Sequence, residues 1–245
     1  FMIRLLFTPF LIITYFASYF IEFNNPSKDK LLIEIVSYVL KRGHYSPSQI
    51  DDQFSEDVYK NFLNGVDSRH LFFIQSDIDF FDSYKFEIDD QIITSKIEFF
   101  DLSHQRYLQR LDQVKSFYPT LLNETFDFSI DEKINLDFES TSYSKSLSEL
   151  KQQWRKFLKF NALGIFSNLK EEEKRKKEKD PNYNLRADDV LELETRNVLK
   201  EDMKYFFEAR YDLNRNDYFS IYVNSIALQF DPHTSYFAPS AKDRF

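Results

Sequence analysis

Cysteine is absent from all 245 residues, and glycine occurs only at Gly43, Gly65 and Gly164. The first absence removes disulfides, thiolate metal sites and thiol nucleophiles together, while leaving the redox compartment open. The second leaves little material for tight hairpins, for glycine-rich loops around phosphates, or for a many-turned β architecture. Charge of one sign is also missing. The one dense basic run, Lys174 to Lys179, is interleaved with Glu171, Glu172, Glu173 and Glu178 in a chain of net charge −8. Such a mixture does not make the cationic surface from which counterions are released, so nucleic acid is not an expected partner.

What is present is aromatic: 28 Phe and 15 Tyr in a chain long enough for one large domain or two small ones. Apolar residues recur at three-four spacing through most of it, so the fold is expected to be mainly α, an irregular multi-helix domain with long crossing loops and little or no sheet. The stripe Leu31, Leu32, Ile35, Val36, Val39, Leu40 predicts a helix over about 28–45. Ser46-Pro47-Ser48-Gln49 reads as the start of the next, carrying Ile50, Phe54, Val58 and Phe62. Asp67 to Phe73 is a polar turn running into an apolar cluster, and Ser76 begins a short helix. One long helix is predicted over about 88–118, ended by Pro119. Residues 123–146 lose the period and read as an irregular crossing. Ser146 and Glu149 cap a helix with Leu150, Trp154, Phe157 and Leu158, closed after a charged end by Asp180-Pro181, and two last helices fall at about 186–211 and 217–230.

The N-terminus bears on location. Arg4 precedes an uncharged run, Leu5 to Ile21, that exits into Glu22 and a polar stretch. That order suits a secretory signal, and the run also approaches the shortest membrane span. Residues 1–25 are therefore expected to be a signal peptide or an N-terminal anchor, and the membrane to be touched only through them.

Chemistry is sparse. His44, His70, His104 and His233 stand singly, without a pair on one helix face, so no metal site is expected. Asp51-Asp52, Asp89-Asp90 and Asp188-Asp189 fall near predicted helix starts, where carboxylates meet the positive end of the dipole. Ser142-Tyr143-Ser144-Lys145 has Ser-x-x-Lys spacing, but lacks the Ser-Asp-Asn and Lys-Thr-Gly partners that accompany it and sits in irregular polar sequence. Neither a catalytic residue nor a cofactor is expected in this chain.

One segment near the end reads differently. Asp231-Pro232-His233-Thr234-Ser235-Tyr236-Phe237-Ala238-Pro239 resembles a signature of the tail-specific, or C-terminal processing, proteases. His44-Tyr45, Phe54-Ser55-Glu56, Tyr59 with Phe62-Leu63 and Val66-Asp67, His70-Leu71-Phe72-Phe73, Asp77-Ile78, Phe80-Phe81, Trp154 with Lys156-Phe157, and Asn216 with Tyr218-Phe219 also fall in that family's order. The resemblance implies the N-terminal domain of a periplasmic serine endopeptidase that takes substrates by apolar C-terminal tails. It further implies Ser-Lys catalysis and a PDZ domain, both beyond Phe245, and leaves room for an accessory protein. On that reading residues 26–212 form the helical domain. Residues 213–245 carry the last helix and the junction Asp231, Pro232, His233, Thr234, Ser235, Tyr236 and Pro239, a connector before a contact for substrate. The competing readings are a stand-alone exported helical adaptor that binds a protein partner, and a small membrane-anchored structural protein.

Overall fold

The computed structural model describes residues 26–43, 49–138, 141–231 and 233–238. The Leu5–Ile21 run, His44, the Ser46-Pro47 helix start, Pro232 and Pro239 lie outside them. Among the described residues there are eight helices and no strand: α1 Pro26–Gly43, α2 Asp52–Asp67, α3 Gln75–Phe81, α4 Ile88–Ile93, α5 Glu98–Leu121, α6 Leu147–Lys179, α7 Asp188–Tyr211 and α8 Arg215–Ala227. A 3-10 turn, Asp82–Tyr84, follows α3, and a single isolated parallel bridge joins Ile74 and Ser144. None of these helices is long and apolar enough to cross a membrane.

The chain divides into two compact units. Of the described residues, the first takes those up to Tyr59, Lys85–Phe100 and those from Arg215 onward, and the second takes those of Lys60–Tyr84 and Asp101–Asn214. In the first unit α1 packs on α4 and α8 through a line spaced by four, Asp29, Ile33 and Ser37. Asp29 accepts a charge-assisted bond from Arg215, whose guanidinium also lies 4.9 Å over the Phe100 ring. Phe100 meets Phe219 edge-on at 5.0 Å and stacks on Tyr222 at 5.6 Å, so the core here is largely aromatic.

The predicted helix over 88–118 is two helices. Ser95 sits at φ 53, Lys96 N–H donates to the Gln91 carbonyl at 2.7 Å, and the Gln91 side chain accepts from Phe99 N–H at 3.0 Å. Gln91 thus ends α4 with its backbone and caps α5 with its side chain. Pro119 lies inside α5, which continues to Leu121, since a proline this close to the end removes only one helical bond. The start of α2 also differs. Gln49 and Ile50 are not helical, and Asp51 supplies the cap by accepting from Phe54 N–H at 3.1 Å.

In the second unit α6 and α7 pack as a helical hairpin around Leu150, Trp154, Leu158, Ala162, Leu191, Leu199 and Phe207. Ser146 accepts from Glu149 N–H at 3.2 Å while Glu149 accepts from Lys145 N–H at 2.7 Å, close to the capping box that Ser146 and Glu149 predict. At the far end Glu173 is buried and takes the Arg186 amide and guanidinium, each at 3.0 Å, and the Tyr183 hydroxyl. This ties the two helices across the 180–187 connection. The irregular crossing is fastened along α6 and α7 at three points: Phe126 N–H to Glu192 at 2.9 Å, Phe128 stacked on Phe166 at 4.8 Å, and Glu132 bound to Arg155 and Lys159.

Gly164 stands in the middle of α6, and a Cβ built there meets nothing within 4 Å. Glycine in a helix interior costs conformational entropy without any steric return at this position. Gly164→Ala is therefore expected to raise unfolding stability by about 0.5–1 kcal/mol. Urea unfolding monitored by the helical circular dichroism signal checks this.

Candidate functional site

Polar chemistry in the second unit gathers where α2 ends. Asp67, its last residue, is buried, and its two carboxyl oxygens accept three consecutive backbone amides: Leu71 at 2.8 Å, Phe72 at 3.0 Å and Phe73 at 2.8 Å. To bring those amides back onto the carboxyl the chain passes through His70 at φ 51, a left-handed conformation costing a non-glycine residue about 1–2 kcal/mol. Three hydrogen bonds at roughly 0.5–1.5 kcal/mol each together offset that cost. His70 donates from Nδ1 to the Thr141 carbonyl at 2.7 Å and stacks on Tyr143 with ring centroids 3.9 Å apart. Burial holds His70 below the ordinary histidine range, partly offset by that bond. The Leu71 carbonyl accepts from the Trp154 indole at 2.6 Å.

Burial raises the Asp67 carboxyl to about 7, against the lowering effect of the three amides and of Arg210. Arg210 lies with its guanidinium 3.4 Å over the Phe206 ring and 5.5 Å from the Phe72 ring. Together with Arg69, these groups line an opening of about 340 Å³ beside Asp67.

Ten residues on, Asp77 closes the segment. It is fully buried, with its carboxylate bound by Arg110 Nε and Nη2 at 2.7 and 2.8 Å and by Arg106 at 2.7 Å, and it accepts the Ile74 amide at 3.0 Å. A carboxylate so fully engaged acts as a structural tie. The sequence reading places α3 but begins it at Ser76; the helix starts at Gln75 because Asp77 caps the Ile74 amide.

The junction residues lie in the first unit. The Asp231 carboxylate accepts from His233 N–H at 2.6 Å, the local turn expected of an aspartate two residues upstream, and its carbonyl accepts from Thr234 N–H at 3.0 Å. His233 and Ser235 are exposed; Thr234 and Tyr236 are half-buried. Asn224 of α8 holds Tyr236 at both backbone groups, accepting its N–H at 2.7 Å and donating to its carbonyl at 3.1 Å. Burial, with the charge of Asp29, pushes the Tyr236 phenol up. The sequence reading missed Asn224, and also Arg106, Arg110 and Arg210. The signal for one pair was available: two arginines four apart on the apolar face of Tyr107, Leu111 and Val114 demand a buried acid.

Of the other candidates, Ser142 to Lys145 is not helical, so the single turn that would bring a lysine to the serine is missing. Asp51, Asp89 and Asp188 all sit at helix starts, Asp89 accepting from the Ser55 hydroxyl at 2.6 Å while its own amide donates back at 2.8 Å. Among the described residues no cluster of His, Asp or Glu could hold a metal ion.

Comparison with known proteins agrees with the motif order. The family model described as the tail specific protease N-terminal domain matches residues 36–240. A tail-specific protease of Haemophilus influenzae is 23% identical over 219 residues, which cover 84% of this chain and 27% of that protein. The chain thus spans well under two thirds of the length of this curated relative.

Asp67 gives the site a pH signature. With its carboxyl raised from 3.8 to about 7 on folding, the folded chain keeps a proton that the unfolded chain has lost. Stability from this group is therefore complete below pH 3.8 and declines as pH rises through about 7. Asp67→Asn, which does not titrate and turns an amide donor toward other donors, is expected to remove that decline. Its cost is about 1–3 kcal/mol near pH 4, and falls through zero as pH rises toward about 7, because the wild-type chain loses more than that over roughly three pH units. Urea unfolding of both chains from pH 4 to 8 measures the difference.

Proposed function

The chain belongs to the tail-specific protease N-terminal domain family, and on that premise we propose that it is the helical front part of an exported, C-terminal processing serine endopeptidase. In this reading the domain frames the cavity that holds the substrate. Residues 231–239 lead into a PDZ domain, and cleavage belongs to a serine with a lysine base elsewhere in the protein. A lysine in a poorly solvated site gives up its proton more easily and can accept one from serine. The match over residues 36–240 carries the proposal.

Local chemistry supports the division of labour. The polar groups at the Asp67 turn and at Asp77 are spent on backbone amides and arginines, an arrangement that holds a chain and does not transform one. Substrates, as the family resemblance implies, would be proteins with apolar C-terminal tails, and an accessory protein is a further candidate partner. Export is supported by Arg4 and the uncharged run Leu5–Ile21, which suit a periplasmic domain, either free after cleavage or tethered to the inner membrane.

The test is tail-dependent cleavage. The product of the whole gene is expected to degrade a reporter that ends in apolar residues and to spare one that ends in aspartates, while the 245-residue chain alone cleaves neither. Replacing the downstream serine should abolish the activity. Specific capture of a partner without cleavage by the full product would contradict the proposal and favour an adaptor.

A further inference from the structure

Helix α1 presents two faces of very different fate. Asp29, Ile33 and Ser37 are buried, whereas Leu31, Ile35, Tyr38 and Val39 remain 53%, 50%, 60% and 54% exposed. At the helical advance these four side chains share an arc of about 100°. Four large apolar groups in one open stripe are a costly thing to leave in water.

The charges around the stripe indicate what covers it. Lys28, Lys30, Lys41 and Arg42 are all exposed, while of the two acids in the helix Asp29 is buried against Arg215, leaving Glu34 as the exposed one. A strongly cationic surface thus stands on a chain of net charge −8. Lys28 and Arg42 fall within the same arc as the apolar side chains, one at each end, and the Arg42 guanidinium lies 5.2 Å over the Tyr38 ring. A second copy of the stripe is a poor match: parallel pairing sets Lys28 against Lys28, and antiparallel pairing sets it against Arg42. A sheet of anionic headgroups over hydrocarbon fits both components. Apolar side chains enter the acyl boundary, long cationic ones reach back to the headgroups, and a tyrosine occupies the interface. The uncharged run that ends at Ile21 is separated from Pro26 by four residues. That is a chain reach of about 15 Å, which keeps α1 close to any lipid phase the run enters.

We propose that α1 is an interfacial docking helix that lays Leu31, Ile35, Tyr38 and Val39 on an anionic lipid surface, with Lys28 and Arg42 on its headgroups. The membrane is then contacted by the folded domain as well as by the N-terminal run, and this does not depend on the peptidase reading.

The test is sedimentation of the 245-residue chain with vesicles of phosphatidylcholine alone and with about a third phosphatidylglycerol, at two salt concentrations. Wild type is expected to bind the anionic vesicles about tenfold more tightly than the neutral ones, with the preference shrinking as salt rises. Lys28→Gln/Arg42→Gln should lose about that tenfold preference. Ile35→Gln/Val39→Gln should weaken binding to the anionic vesicles by a similar factor, about tenfold, through lost apolar burial. All four positions are exposed, so unchanged thermal unfolding midpoints are expected and separate lost docking from lost folding. Binding of both double variants at the wild-type level would overturn the proposal. So would a concentration-dependent dimer that Ile35→Gln/Val39→Gln abolishes while vesicle binding persists, since that assigns the stripe to a second copy.

Discussion

The Asp67 carboxyl accepts three successive amides, and the second unit is organised around that turn. Closing it forces His70 into a left-handed conformation, which turns its imidazole onto Tyr143 and the Thr141 carbonyl. It also presents the Leu71 carbonyl to Trp154 and sends Phe72 among Tyr107, Trp154 and Phe206. Asp77 then fixes the other end of the segment through Arg110 and Arg106. A short stretch of chain thereby fastens α2, α5, α6, α7 and the irregular crossing within one unit. Trp154 is fully buried because its one polar atom has a partner, which is what permits an indole in a dry core.

The same device recurs at three other places where the chain changes direction. Gln91 ends one helix and caps the next, Ser55 exchanges bonds with Asp89 at the start of α4, and Asn224 holds both backbone groups of Tyr236. In a sequence with three glycines, corners cannot rest on glycine's conformational freedom. The described residues at positive φ are His70 and Ser95, neither of them glycine. Short polar side chains supply the missing backbone partners and offset the strain. Motif residues such as Asp67, Asp77 and Ser55, which carry the family resemblance in the sequence, have the geometry of ties.

Helix identity was legible because burial imposes a three-four period. The stripes through Phe54, Val58 and Phe62, and through Leu150, Trp154 and Phe157, become buried faces as expected, whereas in α1 burial falls on Asp29, Ile33 and Ser37 and leaves Leu31, Ile35 and Val39 of the expected stripe exposed. The break at residues 94–97 was not legible. Ile88, Ile92, Ile97, Phe99 and Phe100 are all buried, so apolar content alone continues across it, and the interruption depends on a glutamine side chain reaching eight residues forward. Asp67 was readable as part of a turn, but its three-amide grip was not, since nothing local distinguishes a buried carboxyl from a solvated one. The arginines that neutralise Asp77 lie about thirty residues away in sequence, so their spacing on an apolar face calls for a buried acid without showing which one. The family resemblance was readable from the order of motifs, and the match over residues 36–240 agrees with it.

Hydrogen exchange at three amides tests the central role of Asp67 most directly. If its carboxyl organises the unit, the Leu71, Phe72 and Phe73 amides exchange only with global unfolding in the wild-type chain, and in Asp67→Ala all three accelerate together. Exchange of those amides at open-loop rates in the wild type, or protection that survives Asp67→Ala, would contradict the account.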